Sequence, residues 1–139
     1  MSSSPNAGLK LRVNSVVDSS ALLAVILHES GADVALDVLD QGAFVSTVNL
    51  GEVIARLSDL AASDDDIPGL MQSIKFETVD FTTEDAWQAG LLRRPTRRLG
   101  LSFGDRACLA LGQRLGLPVV TADRLWDSLD IGVEVVLCR

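Results

Sequence analysis

Residues 13–28 read V-N-S-V-V-D-S-S-A-L-L-A-V-I-L-H, and this stretch decides the fold. Val13–Val17 is a short, valine-rich run suited to a strand buried on both faces. From about Ser19 to His28 the chain is apolar and free of glycine and proline, which predicts a helix. Asp18 stands at the junction, where a carboxylate can accept from the unpaired N–H groups of a helix start. Strand, polar junction, helix is a unit that recurs along the chain.

A second helix is predicted over about Gly31 to Asp40, with Val34, Leu36, Val38 and Leu39 as its apolar residues. Ala43–Ser46 is the second strand. The next helix carries Leu50, Val53, Ile54, Leu57, Leu60 and Ala61 at helical spacing. Asp64-Asp65-Asp66 opens a short helix with Pro68 in its first turn, and Phe76–Phe81 is the third strand. Thr82 or Thr83 caps a helix through about Leu92. A basic loop, Arg93 to Gly100, precedes a helix over about Phe103 to Leu115 that Gly116 ends. Leu117–Thr121 is the fourth strand, Arg124–Leu129 a short helix, and Gly132–Leu137 the last strand. Strands alternating with helices predict an α/β fold with a mostly parallel sheet covered on both faces.

The length of 139 residues fits one domain. We place it at residues 13–139, after a short disordered leader at 1–12. Cys108 and Cys138 are too few for a disulfide framework and too far apart for a zinc knuckle, so a reducing, cytoplasmic setting is expected. The leader lacks an apolar signal-peptide core. The longest apolar run, Ala21 to Leu27, is far short of the roughly 20 residues that cross a bilayer. A net charge of −7 disfavours nucleic-acid binding by bulk electrostatics, although acids gathered around a cation would soften that balance.

Four carboxylates carry the chemistry. Singly, each has an ordinary explanation. Asp18 can cap its helix, Glu52 falls in the first turn of its own, Asp105 completes a Ser102-x-x-Asp105 capping box, and Asp123 can cap the helix after Thr121-Ala122. Together they sit where strands or loops pass into helices, the edge of a parallel sheet where ligands bind. Asp105 also heads the apolar stripe of Cys108, Leu109 and Gly112, which aims it toward the core. Glu52 shares its face with Ala55, Arg56 and Asp59 and gives no such indication. Like charges about 4 Å apart repel by on the order of 4 kcal/mol at an effective dielectric near 20, so four converging acids need cations between them. All-oxygen ligation selects Mg²⁺ or Mn²⁺. His28, the single histidine, ends an apolar helix and reads as a surface or capping residue.

The order V-V-D-S-S-A-L-L (16–23), S-T-V-N-L-G-E-V (46–53), L-G-L-S-F-G-D-R-A-C-L-A-L (99–111), P-V-V-T-A-D-R-L-W (118–126) resembles the PIN domain of VapC-type toxins, over about residues 14–139. The resemblance implies a three-layer α/β/α sandwich and Mg²⁺-dependent endoribonuclease activity inhibited by a small antitoxin protein. It implies in-line attack by water that leaves the phosphate on the 5′ side of the downstream product. By motif position it implies an acidic site of Asp18, Glu52, Asp105 and Asp123, with Thr121 as a polar helper.

Arg93, Arg94, Arg97 and Arg98 flank Pro95-Thr96; they are either a solvated surface or a phosphate clamp beside the acids. Trp87 reads as packing, and Trp126 stays open between packing and base stacking. Cys108 reads as core. Surplus apolar surface on Ala21–Leu27 and Leu50–Ala61 points to a homodimer. Two rivals to the nuclease are a PIN-like binding module without activity, against which four intact acids speak, and a doubly wound phosphatase or phospho-acceptor domain. The latter is disfavoured because Asp18-Ser19-Ser20 lacks the second Asp of a D-x-D nucleophile motif. No G-x-G-x-x-G follows the first strand, which argues against a dinucleotide binder.

Overall fold

Valine alternation builds the sheet and divides the core. Successive strand residues point to opposite faces, and Val16 and Val119 pack into one apolar cluster while Val17 and Val120 pack into the other. All four are essentially inaccessible to solvent. The computed structural model of the chain describes residues 14–139; the leader at 1–12 and Val13 lie outside that range. Five strands, β1 (Ser15–Val17), β2 (Ala43–Ser46), β3 (Glu77–Val79), β4 (Val119–Thr121) and β5 (Val135–Leu137), form one sheet in the order β3-β2-β1-β4-β5. Every pairing is parallel.

Among the described residues seven α-helices cover it: α1 (Ser19–Ile26), α2 (Ala32–Gln41), α3 (Thr47–Leu60), α4 (Ile67–Met71), α5 (Thr83–Leu91), α6 (Arg93–Thr96) and α7 (Phe103–Leu115). Leu22, Ala35, Leu39, Val53 and Leu57 bring α1, α2 and α3 to the Val17 face. Ala89, Cys108, Leu109 and Leu111 bring α5 and α7 to the Val16 face. The result is the three-layer α/β/α sandwich. At Gly112 a Cβ would collide with the Val119 side chain, so glycine lets α7 lie close on β4.

Caps set the helix ends. Thr82 and Asp85 form a capping box at α5, and Gly116, in the left-handed region at φ 66°, ends α7. The strands are shorter than the valine-rich runs suggested, and Phe76 and Phe81 lie just outside β3. Arg93 to Gly100 is not a loop: α6 and a 3₁₀ turn at Arg97–Leu99 carry it, and Leu92, at φ −66° and ψ −13°, keeps the backbone helical between α5 and α6. The packing reading of Trp87 needs correction, and the open choice at Trp126 is decided. Trp87 is 71% exposed and packs little, whereas Trp126 is wholly buried and closed to base stacking. On α1, Ala21, Leu22, Ala24 and Ile26 are buried, while Leu23, Val25 and the following Leu27 are only partly covered. Exposed apolar groups sit at Ile54 and Leu60, within the expected stretch Leu50–Ala61, and also at Val34, Leu36, Leu70, Trp87 and Leu91.

Candidate active site at the carboxyl edge

The chain runs from β1 outward to β2 and β3, then returns to place β4 on the other side of β1. Open α/β sheets leave a crevice at such a reversal, outside the carboxyl ends of the two strands. Asp18 follows β1 and Asp123 follows β4, so topology alone sets them side by side. The Asp18 N–H, donating to the Val120 carbonyl at 3.0 Å, joins the two strand ends.

Asp18 is 3% exposed. It caps α1 by accepting from the Ala21 N–H at 2.9 Å, and it also accepts from the hydroxyls of Ser20 (2.8 and 2.9 Å) and Thr121 (2.6 Å). Burial pushes its carboxyl up to about 6 despite these donors, with the charge of Asp105 adding to the rise. Among the described residues no cationic side chain pairs with it, and the one ion pair is Arg114–Asp85, at 2.7 Å. Thr121 also accepts from the Asp123 N–H at 3.0 Å, and Ser20 accepts from the Ala122 N–H at 2.9 Å. Asp123 in turn caps the 3₁₀ helix at Arg124–Ser128.

Glu52 stands in the second turn of α3, not the first, since Thr47 begins that helix and Ser46 caps it. A dipole role is therefore not its place. Its Oε1 accepts from Ser19 at 3.0 Å and from Asn49 at 2.8 Å, and its carboxylate lies against Gly104, where any Cβ would run into it. It thus touches the neighbours of both Asp18 and Asp105. Asp105 completes the capping box at α7, accepting from the Ser102 N–H at 2.9 Å. It is half-buried rather than turned into the core. Burial raises its pKa, and the charges of Glu52 and Asp123 raise it further against the pull of Ser102.

The four acids and Thr121 thus lie along one edge, with Asp105 acting on Asp18 and acted on by the charges of Glu52 and Asp123. Among the described residues, no three Asp, Glu, His or Cys side chains lie close enough to hold an ion as they stand. The donor set fits a hard cation in chemistry: carboxylates and hydroxyls only, with a buried acid lacking a positive partner.

Asn49 escaped the sequence reading. It is 1% exposed, and its Nδ2 donates to Glu52 and to the Gly104 carbonyl at 3.0 Å, tying α3 to α7. The available signal was a polar residue one turn before an acid on a buried face. Of the four arginines, Arg98 reaches the Ser128 carbonyl at 3.5 Å, in the helix that Asp123 caps, while Arg93, Arg94 and Arg97 line an open surface hollow with Leu91 and Pro95. Arg106, not considered from sequence, is buried; it donates to the Ala89 carbonyl at 2.9 Å and so ties the α5–α6 segment to α7.

Comparison with known proteins agrees with this architecture. Among solved structures, VapBC of Salmonella typhimurium bound to DNA superposes with TM-score 0.73 at 18% identity, covering 91% of this chain and 99% of that one. VapC20 of Mycobacterium tuberculosis, a sarcin–ricin loop cleaving toxin, gives 0.64 at 16%, with 86% and 98% covered. VapBC-5 of the same organism, a toxin–antitoxin system, gives 0.59 at 25%, with 90% and 98% covered. A search of curated proteins by comparison found no match. The family model described as PIN domain matches residues 15–132, nearly the whole described chain, and the protein belongs to the PIN-domain family.

Proposed function

We propose that this chain is a divalent-cation-dependent endoribonuclease, the toxin of a toxin–antitoxin pair. The observation that carries the reading is Asp18: a carboxylate 3% exposed, with no cationic partner among the described residues, at the switch point of a parallel sheet and within reach of the charge of Asp105. Leaving a buried acid so costs stability, and a site that binds a cation gives that cost a use. Asp18, Glu52, Asp105 and Asp123 would hold Mg²⁺ or Mn²⁺. When bound, such an ion lowers the pKa of water and neutralises charge on a phosphodiester undergoing in-line displacement.

The chain's own residues prepare that chemistry. Ser20 and Thr121 fix both oxygens of Asp18, Ser19 and Asn49 hold Glu52, and Gly104 leaves room for its carboxylate. Arg93, Arg94, Arg97 and Arg98 would contact RNA phosphates beside the acids, offsetting the net charge of −7. The partner is a small antitoxin protein, as in the toxin–antitoxin complexes of like fold, and the working form is a cytoplasmic homodimer. No helix among the described residues is long and apolar enough to cross a membrane.

The test is cleavage of a structured RNA by purified protein with Mg²⁺, with Mn²⁺ and with EDTA, beside Asp18→Asn and Asp105→Asn. Cleavage by the wild type that EDTA and both substitutions abolish is expected. Cleavage retained by both variants refutes the site. Cation binding without cleavage makes the protein a silent binding module.

A further inference from the structure

Toward β3 the acidic edge gives way to aromatic rings. β3 stops at Val79, and Phe81 follows beyond its carboxyl end, its N–H donating at 3.1 Å to the hydroxyl of Thr47, the first residue of α3. Phe103 opens α7; it precedes Gly104, which lies against Glu52, and stands two residues before Asp105. The two rings meet edge to face, with centroids 5.7 Å apart and planes at 71°, an arrangement that aromatic pairs favour. Phe103 is still 46% exposed. Holding a cation gives no use to an open apolar ring beside the carboxylates.

Arg106 singles out the same ring. One turn along α7, its guanidinium lies over Phe103, 5.4 Å from the ring centroid. Arg106 is 8% exposed, and its Nη1 donates to the Ala89 carbonyl at 2.9 Å. Among the described residues its Nε finds no acceptor and no acid pairs with it. A buried cation is thus left without a counter-charge, as Asp18 is a buried acid without one. Salt screens a buried charge little, so Arg106 draws anions to an edge that the acids otherwise make repellent. The guanidinium and Phe81 also hold the ring in place, and a side chain already fixed loses little freedom when a ligand covers it. A rigid, flat, apolar surface backed by a positive charge suits a nucleobase joined to its phosphate.

We propose that Phe103 stacks an unpaired base of the RNA strand whose phosphodiester lies at the acids, with the Arg106 guanidinium backing the ring. The inference rests on the nuclease reading and narrows its substrate to RNA that is single-stranded at the site, because a base within a duplex has both faces covered. Stacking uses a face that every base has, so Phe103 selects for an unpaired strand rather than for a sequence.

The test is binding of two end-labelled strands by fluorescence anisotropy, in EDTA so that no metal-dependent cleavage consumes them. One strand is an oligouridylate of about ten nucleotides, within the span such sites cover; the other is its abasic ribose-phosphate counterpart, equal in length and charge. Wild type should prefer the strand with bases. Phe103→Ala should weaken binding of the oligouridylate by about fivefold or more, the low end of what one stacked base contributes, and should leave the abasic strand within about twofold. Phe103→Trp should keep the oligouridylate within about twofold of wild type, since a larger ring stacks as well. Equal loss on both strands, the mark of misfolding or of lost charge, overturns the stacking. So does unchanged binding of both by Phe103→Ala, or a Phe103→Trp no better than Phe103→Ala. A wild type that cleaves RNA with Mg²⁺ yet shows no preference for bases sinks the stacking alone; one that neither cleaves nor binds RNA sinks the nuclease reading with it.

Discussion

Asp18→Asn should make the cation-free protein more stable at neutral pH and less stable in acid. The Asp18 carboxyl has its ordinary value of 3.8 when the chain is unfolded and about 6 when folded. Below pH 4 both states hold the proton, and burial costs nothing extra. Between pH 4 and 6 the unfolded chain releases its proton while the fold retains it, so stability falls as pH rises. Above pH 6 the full penalty stands. The interval corresponds to roughly 3 kcal/mol. Asparagine removes it, and it caps α1 as well as aspartate does. Its amide NH₂ accepts nothing, so with Oδ1 kept for Ala21 and Ser20 the Thr121 hydroxyl loses its acceptor, at about 1 kcal/mol. The variant should therefore gain roughly 2 kcal/mol at pH 7.5 and lose about 1 kcal/mol at pH 4, using these same differences. Urea unfolding across pH 4–8 in EDTA, followed by far-ultraviolet circular dichroism, reads both signs. Saturating Mg²⁺ should raise the wild-type midpoint at pH 7.5 and leave the variant nearly unmoved. Parallel pH profiles for the two proteins, or a variant weaker at every pH, would refute the argument.

Two other substitutions probe the same edge. Gly104→Ala drives a methyl group into the Glu52 carboxylate and should cut cleavage by more than about tenfold, with a stability loss within about 2 kcal/mol; steady-state rates beside a urea curve separate the two. Arg97→Ala/Arg98→Ala should raise KM and flatten the salt dependence of RNA binding by about one to two slope units while kcat holds. Unchanged KM and slope in rate assays at several salt concentrations would return these arginines to the solvated surface.

Local rules read well because they need only neighbours in sequence. Alternating valines gave the strands, and Thr82, Ser102 and Gly116 marked helix ends where the structure has them. Asp18 and Asp123 were legible for the same reason, since a residue just past a parallel strand has its edge fixed by topology. Glu52 was less legible. Its helix neighbours suggested a solvated face, while its partners, Ser19 and the Gly104 region, arrive from α1 and α7. The arginine segment read as a loop around Pro95, yet Leu92 carries the helical backbone on into α6 and Pro95 sits in that short helix. Trp87 defeated the reading because hydrophobicity says that a side chain should be covered, not by which molecule.

The hydroxyl of Thr121 donates to Asp18 across 103 residues of chain. Synthesis proceeds from the amino end, so Asp18 emerges long before either Thr121 or Asp123 exists. β1 also lacks its β4 neighbour until residue 119 is made. Contacts of such sequence separation close late, and here they close the acidic edge itself. On the proposed reading, a ribonuclease born beside ribosomal RNA stays inert throughout its own translation, and prematurely terminated chains that stop before β4 should be harmless to the cell that makes them.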